Sequence, residues 1–279
     1  MAMAQEWTDI ATPVDIRLIA ADMDGTLLDA DSRLPEGFWP MLDRLQQRGI
    51  VFVPASGRQL ATLQSMFAQA AQPLSFIAEN GNVVTYEGEV IETHVVSKDI
   101  TRRTIDLVDR ATDDIGLVVC GLESAYVQRT DAPFVAECSK YYHKLKEVKD
   151  LHEVLDYPDE TILKLAIFDF GDVESKAKRE LGFVTEPYEY VVSGKHWVDI
   201  MDGRVNKGVG LAVLQARLGI TPAQTAVFGD YLNDTPMFEH AEWSFAMANG
   251  HEDVRQAARY LAPANTEEGV IRVVDRLVG

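Results

Sequence analysis

The sequence predicts an α/β fold in which a doubly wound, mainly parallel sheet is interrupted by an inserted α+β domain. Three observations carry the prediction. Between about residues 15 and 93, short apolar runs closed by turn residues alternate with segments of helical periodicity, the rhythm of strand–helix–strand units. The same rhythm returns near the end of the chain. From 94 to 193 the pattern differs, mixing helices with alternating runs and a hairpin signal. The expected division is 1–93 with 194–279 as the α/β core and 94–193 as the insertion.

Taken in order, Asp15–Asp22 (DIRLIAAD) is a mostly apolar run ending at acid and glycine, which suits a strand buried on both faces. Pro35 to Arg48 has helical spacing in Phe38, Met41, Leu42 and Leu45, with Pro35 near the first helical position and Gly49 as the stop. Gly49–Ala55 is a second strand, a helical pattern follows to about Ala71, and Leu74–Ala78 is a third strand. In the insertion the expected elements are a helix over Asp99–Asp114, strands over Ile115–Cys120 and Ala125–Gln128, and a charged stretch, Lys140–Asp159. A strand over Thr161–Phe168 and a helix over Val173–Leu181 follow, then a hairpin over Tyr188–Ile200 turning at Ser193-Gly194. The core resumes with a helix over Gly208–Leu218, a strand over Thr225–Gly229, a helix from Pro236 and a strand over Ser244–Ala248.

Composition narrows the function. The 279 residues carry 44 acidic against 26 basic side chains, a formal charge of −18. Such a surface repels phosphate backbones and anionic lipid, so nucleic-acid and membrane-surface roles are disfavoured. A small phosphorylated metabolite stays open as a partner, provided a cation neutralises the site locally. Cys120 and Cys138 form no disulfide framework or zinc signature and read as small buried apolar residues. The first residues lack a basic start followed by an apolar run, and no apolar stretch approaches the roughly 20 residues of a membrane span. A cytoplasmic protein, monomeric or a small homo-oligomer, is expected.

Four clusters carry chemistry. Asp22-Met23-Asp24-Gly25-Thr26 ends the first strand, where open α/β sheets bind ligands. Two carboxylates there can divide nucleophilic and proton-transfer work; a plain turn is the alternative. A calcium loop is excluded because its sixth and twelfth positions would be Leu27 and Arg33. Ser56-Gly57-Arg58 stands between a strand and a helix, offering N–H groups to an anion or simply an N-cap. Lys207 precedes a helix and is either a charge partner or solvated surface. Gly229-Asp230-Tyr231-Leu232-Asn233-Asp234 ends a buried strand in oxygen donors suited to Mg2+.

In order and spacing these four blocks resemble the motifs of the haloacid dehalogenase (HAD) superfamily of phosphohydrolases. The long insertion between the second and third blocks is similar to the Cof-type group with an α+β (C2B-type) cap, as are Phe245–Gly250 (FAMANG) and Asn265–Val270 (NTEEGV). Serine at position 56 replaces the Thr often seen there and keeps the hydroxyl. The resemblance implies a Rossmann-like core and a cap that closes over the strand ends, excludes water and selects the substrate. It implies Asp22 as nucleophile, Asp24 as general acid and base, and Lys207 as the neutralising cation. Met23, Ser56, Gly57 and Asn233 would hold the phosphate with Lys207. Mg2+ would be bound by Asp22, the Asp24 carbonyl and Asp230, with Asp234 nearby and able to act through water. Glu79-Asn80-Gly81 resembles a family loop close to the site, so Asn80 either touches substrate or belongs to a plain turn, and Arg58 either reaches the leaving group or pairs with a surface acid.

The implied activity is Mg2+-dependent hydrolysis of small phosphate monoesters, sugar phosphates or pyridoxal phosphate, through an aspartyl-phosphate. The rivals are a phosphotransferase such as a phosphohexomutase on the same core, and a non-enzymatic phosphoacceptor switch. Tyr126, Tyr141, Tyr142, His143 and Lys144 are either substrate-facing or part of the insertion's core and surface. The six histidines show no metal-ligand spacing.

Overall fold

The computed structural model describes residues 4–112, 114–171, 173–192 and 196–279. The chain forms two compact units, Met1–Gly57 with Phe67–Glu92 and Asn206–Gly279, and Arg58–Met66 with Thr93–Val205.

The first unit is the α/β one. Its six-stranded sheet runs in the order Gln5–Glu6, Tyr260–Ala262, Trp243–Met247, Thr225–Gly229, Leu18–Ala21, Val51–Pro54, and each of these pairings is parallel. The strand Leu18–Ala21 is wholly buried, which is why its sequence is a continuous apolar run instead of an alternating one. Leu18, Ala20, Val53 and Val227 pack on one face against Leu211, Leu214 and Met237. On the other face Phe52 meets Phe38 of the helix Phe38–Gln47 edge-on, and Phe228 stacks on Phe245 with centroids 4.8 Å apart. Leu18–Ala21 lies between Val51–Pro54, next in the sheet's chain order, and Thr225–Gly229, reached only after the second unit. The carboxyl end of Leu18–Ala21 is thus a topological switch point, where side chains from both neighbouring strands converge on one crevice.

Several boundaries differ from the sequence expectation. The first helix begins at Phe38, and Pro40, not Pro35, occupies its first turn; Phe38, Met41, Leu42 and Leu45 are buried as their spacing predicted. The next helix stops at Met66 instead of Ala71. Leu74–Ala78 supplies only the strand Phe76–Ala78, joined to the parallel sheet by a single bridge, Ala55 to Ile77. Its main partner is the antiparallel strand Val83–Tyr86, followed by Glu89–Thr93 in a three-stranded sheet that the sequence did not reveal. The turn at Glu87-Gly88 takes positive φ at both residues (49° and 86°), and Glu at the first of these is an uncommon hairpin signal.

In the second unit a six-stranded sheet runs Tyr188–Val192, Trp197–Asp202, Ile162–Asp169, Ile115–Gly121, Ala125–Val127, Leu145–Glu147. Its pairings are antiparallel except the last, Ala125–Val127 with Leu145–Glu147. Alternate residues face opposite layers. Leu117, Val119, Leu165 and Ile167 pack with Ile100, Ile105 and Leu181, whereas Val118, Cys120, Ala166 and Phe168 pack with Phe134 and Cys138. Phe134 and Cys138 belong to a helix, Ala132–Cys138, that was not anticipated. The helix expected over Asp99–Asp114 spans Lys98–Arg110, and the charged stretch holds Leu145–Glu147 and the 3-10 turn Leu151–Asp156. The expected turn at Ser193-Gly194 lies outside the described residues. Both cysteines are free and buried, and burial pushes the Cys138 thiol up to about 12. Among the described residues no helix is long and apolar enough to cross a membrane.

His152 ties the turn Leu151–Asp156 to the helix Lys98–Arg110. Its Nδ1 lies 2.8 Å from Asp150 Oδ1 and its Nε2 3.2 Å from Asp106 Oδ1. The Asp150 bond, helped by Asp106, lifts the imidazole above its ordinary 6.5 against the effect of burial. A folded pKa above the unfolded one stabilises most below the unfolded value and less as pH rises through the folded one. His152→Gln should therefore lower the melting temperature more at pH 5 than at pH 9; equal shifts at the two pH values would show that the imidazolium contributes nothing.

Candidate active site

Asp22 is the first residue beyond Leu18–Ala21, held by its N–H donating to the Phe228 carbonyl at 3.0 Å. The chain then turns sharply: Leu27 N–H donates to Asp22 O (3.2 Å) and Leu28 N–H to Met23 O (2.9 Å). Asp24 (φ −77°, ψ 120°) and Gly25 (φ 80°, ψ −4°) have the dihedrals of a type II turn, which asks for glycine at its second central position. Gly25 is required for a second reason, because a Cβ there would overlap Asp230 Oδ2. The turn ends with Thr26, whose hydroxyl donates to Asp230 Oδ1 at 2.8 Å.

Asp230 directly follows Thr225–Gly229, so it emerges beside Asp22 on the adjacent parallel strand. Its carbonyl accepts the His251 N–H at 2.8 Å. Asp234 curls back beneath it: Oδ2 accepts the N–H groups of Asp230 (2.9 Å) and Tyr231 (3.1 Å). Asp234 Oδ1 accepts from Lys207 Nζ at 2.7 Å, and the same ammonium donates to Asp22 Oδ1. Lys207 opens the helix Lys207–Leu218, capped by Asn206 Oδ1 accepting the Val209 N–H at 3.0 Å. Gly208 lets this helix approach Pro236 so closely that a Cβ would strike the Pro236 carbonyl oxygen.

Lys207 and Asp234 are fully buried and Asp22 nearly so. Burial, then the charge of Asp234, pushes the Asp22 carboxyl well above its usual range in spite of Lys207. Burial also raises Asp230, opposed by the Thr26 hydroxyl. For Lys207, burial works against the ammonium, but Asp22 and Asp234 prevail and hold its pKa above the ordinary lysine value. One ammonium thus faces three carboxylates, and like charges about 4 Å apart repel by about 4 kcal/mol at an effective dielectric near 20.

One oxygen each from Asp22, Asp230 and Asp234 falls within 4.8 Å of the others. This all-oxygen, excess-negative donor set fits a hard divalent cation. The carboxylate of Asp24 is not in this group and is exposed; its expected metal contact is through its carbonyl.

Ser56 and Gly57 follow Val51–Pro54 on the other side of Asp22. Ala55 N–H donates to Ala21 O (2.9 Å), and buried Ser56 donates its N–H to Ile77 O (2.8 Å). Asn80, in the left-handed region (φ 57°), sits against Gly57 and accepts from the exposed Asn233 through its Oδ1 at 3.1 Å. Asn80 and Asn233 stand in separate sequence blocks, and the fold joins them. Thr26 lies inside the first motif, but its bond to Asp230, 204 positions away, leaves no local trace in the sequence.

The remaining candidates belong to the second unit. Arg58 lies with its Nη1 3.7 Å from Met66 Sδ. Tyr126 and Tyr142 are buried in the core of that unit, Tyr126 bonding Glu160 and Tyr142 lying 3.4 Å from Cys120 Sγ. Tyr141, His143 and Lys144 are exposed.

Comparison with known proteins gives the family. The sequence profile described as haloacid dehalogenase-like hydrolase matches residues 19–274. The 5-amino-6-(5-phospho-D-ribitylamino)uracil phosphatase YbjI of Escherichia coli is 33% identical over 95% of this chain and 97% of its own. A phosphoglycolate phosphatase of Methanopyrus kandleri is 26% identical over 94% of this chain and 97% of its own. A haloacid dehalogenase-like hydrolase of Bacteroides thetaiotaomicron shares the fold with a TM-score of 0.81 at 23% identity, covering 94% of this chain and 99% of the other. The chain belongs to the haloacid dehalogenase-like hydrolases, and it is a phosphatase of that family.

Thr26→Val removes the hydroxyl at nearly constant volume. Loss of such an outer partner should weaken the apparent affinity for an activating divalent cation by roughly 10–100-fold, read from activity against cation concentration. An unchanged cation dependence would show that the Asp230 carboxylate holds its place without Thr26.

Proposed function

We propose that the protein hydrolyses small phosphate monoesters with Mg2+, forming an aspartyl-phosphate on Asp22. The observation that carries this is the buried Lys207 ammonium shared by Asp22 and Asp234, with Asp230 alongside. One ammonium against three carboxylates leaves the strand ends short of positive charge. Asp22, Asp230, Asp234 and the Asp24 carbonyl would hold Mg2+, which offsets the charge of nucleophile and phosphoryl group when bound.

A carboxylate oxygen of Asp22 attacks phosphorus in line with the ester oxygen; the new O–P bond forms as the ester O–P bond breaks. Asp24 passes its proton to the departing oxygen, releasing the alcohol. A water molecule then attacks the phosphorus of the mixed anhydride and gives its proton to Asp24. The Asp22 carboxylate is regenerated and inorganic phosphate leaves. Lys207 favours the charged form of Asp22 against the effect of burial and orients its carboxylate. The Ser56 hydroxyl and the Met23 and Gly57 N–H groups donate to phosphoryl oxygens, as does Asn233, steadied by Asn80. Catalysis is then mainly positioning and charge stabilisation, as phosphoryl transfer requires.

In this reading the first unit carries the chemistry and the second selects the substrate, with Arg58 among its contacts. Sugar phosphates and pyridoxal phosphate lead the substrate classes. The E. coli relative, named for a phosphoribitylamino-pyrimidine, adds ribitol phosphates to them. The chemistry suits a cytoplasmic metabolite phosphatase, monomeric or a small homo-oligomer, with no nucleic-acid or membrane partner.

Asp22→Asn should keep the fold by circular dichroism and lose at least about 100-fold in kcat; wild-type turnover would overturn Asp22 as nucleophile. Treatment with EDTA should abolish phosphate release and MgCl2 restore it, whereas full activity in chelator would remove the cation. A panel of phosphorylated metabolites, scored for free phosphate against isomeric sugar phosphate, separates a hydrolase from a mutase.

A further inference from the structure

The general acid proposed above sits at an unusual place for a residue that must be held accurately. Asp24 is exposed and occupies the first central position of the type II turn. The backbone on either side of it is one determinant of where its carboxyl points. Before Asp24 the backbone is anchored by the sheet, and Leu27 and Leu28 donate back to the carbonyls of Asp22 and Met23. After Asp24 comes glycine, the residue least able to hold a conformation by itself.

Two asparagines from the last part of the chain grip the turn on that side. Asn249 Nδ2 donates to the Gly25 carbonyl at 2.8 Å, and Asn265 Nδ2 donates to the Leu28 carbonyl at 2.8 Å. The two are linked, since the Asn265 N–H donates to Asn249 Oδ1 at 3.0 Å. The Asn249 amide therefore has a donor job at one end and an acceptor job at the other, which fixes its orientation. The carbonyl it grips belongs to the Gly25–Thr26 peptide, one bond from the residue whose hydroxyl holds Asp230. These asparagines lie in the two C-terminal blocks that the four-motif chemistry leaves unused.

We propose that Asn249 and Asn265 form a positioning relay for Asp24, holding the Gly25 and Leu28 carbonyls so that the Asp24 carboxyl meets the leaving oxygen. The inference rests on the reading of Asp24 as general acid. Neither asparagine touches substrate. A misplacement near 1 Å can cost about 100-fold in rate, so a loosened turn is expressed as a defect in proton delivery.

That defect has a signature that a general loss of structure lacks. An alkyl phosphate needs its leaving oxygen protonated, whereas an aryl phosphate such as 4-nitrophenyl phosphate leaves as a stable phenolate. The quantity to compare is kcat/KM, which covers the steps through transfer to Asp22 alone. Asn249→Ala and Asn265→Ala should each lose about 10- to 100-fold on an alkyl phosphate and less than about threefold on the aryl one, with unchanged melting temperature. The double variant should lose little more than the worse single variant, because the two residues act as one unit. Asp24→Asn, measured in parallel, should show the same selectivity in stronger form. Equal losses on both phosphates by the asparagine variants, or no loss, would overturn the relay while selective loss in Asp24→Asn stands. Loss without leaving-group selectivity in Asp24→Asn would instead overturn the role given to Asp24.

Discussion

The Lys207 ammonium is the interaction on which the site depends. It lies among Asp22, Asp230 and Asp234 and is itself fully buried, bonded to buried Asp22 and Asp234. An isolated ammonium out of water would cost several kcal/mol; here two carboxylates make the charged form the favoured one. The arrangement is deliberately incomplete, since one cation answers only part of three acids. The residual negative charge makes the crevice receptive to a divalent cation and, with it, to a phosphate dianion that the protein's overall charge of −18 would repel. In the proposed reaction local charge, and not net charge, decides binding.

The parallel sheet is what makes this charge cluster possible. Strands in register deliver Asp22, Ser56 and Asp230 to the same edge because Ala21 pairs with Pro54 on one side and with Phe228 on the other. Lys207 reaches that edge through a helix start, and Gly208 allows the helix to come close enough. Fold and chemistry are thus linked at single residues: Gly25 serves both the turn and the space for Asp230.

The site was more legible in the sequence than the fold around it. Asp22, Lys207, Asp230 and Asp234 stand in short blocks beside apolar runs or a helix start, so their place at strand ends and at that helix start could be read from the sequence. What escaped was set by contacts distant in sequence. Phe76–Ala78 looks like another core strand, yet pairing with Val83–Tyr86 draws it into a separate sheet. Ala132–Cys138 is short and begins with Ala-Pro-Phe, so helical periodicity could not identify it; Phe134 and Cys138 make it a helix by packing against Val118 and Phe168. The bond between Asn80 and Asn233 spans 153 positions and leaves no local trace. Side-chain partners are selected by the fold, and a sequence reveals them only when they share a motif.

The sheet order also bears on how the molecule comes into being. The interior strand Leu18–Ala21 has one neighbour made early and the other, Thr225–Gly229, made after most of the chain. Lys207 and its partner Asp22 are 185 positions apart. During synthesis at about 5–20 residues per second, Asp22 waits on the order of ten seconds or more for its counter-charge and for half of its sheet. Until then an apolar strand bound for full burial has an open edge. The proposed catalytic centre is accordingly among the last parts of the protein to exist, and a chain released before Lys207 is made has no way to assemble it.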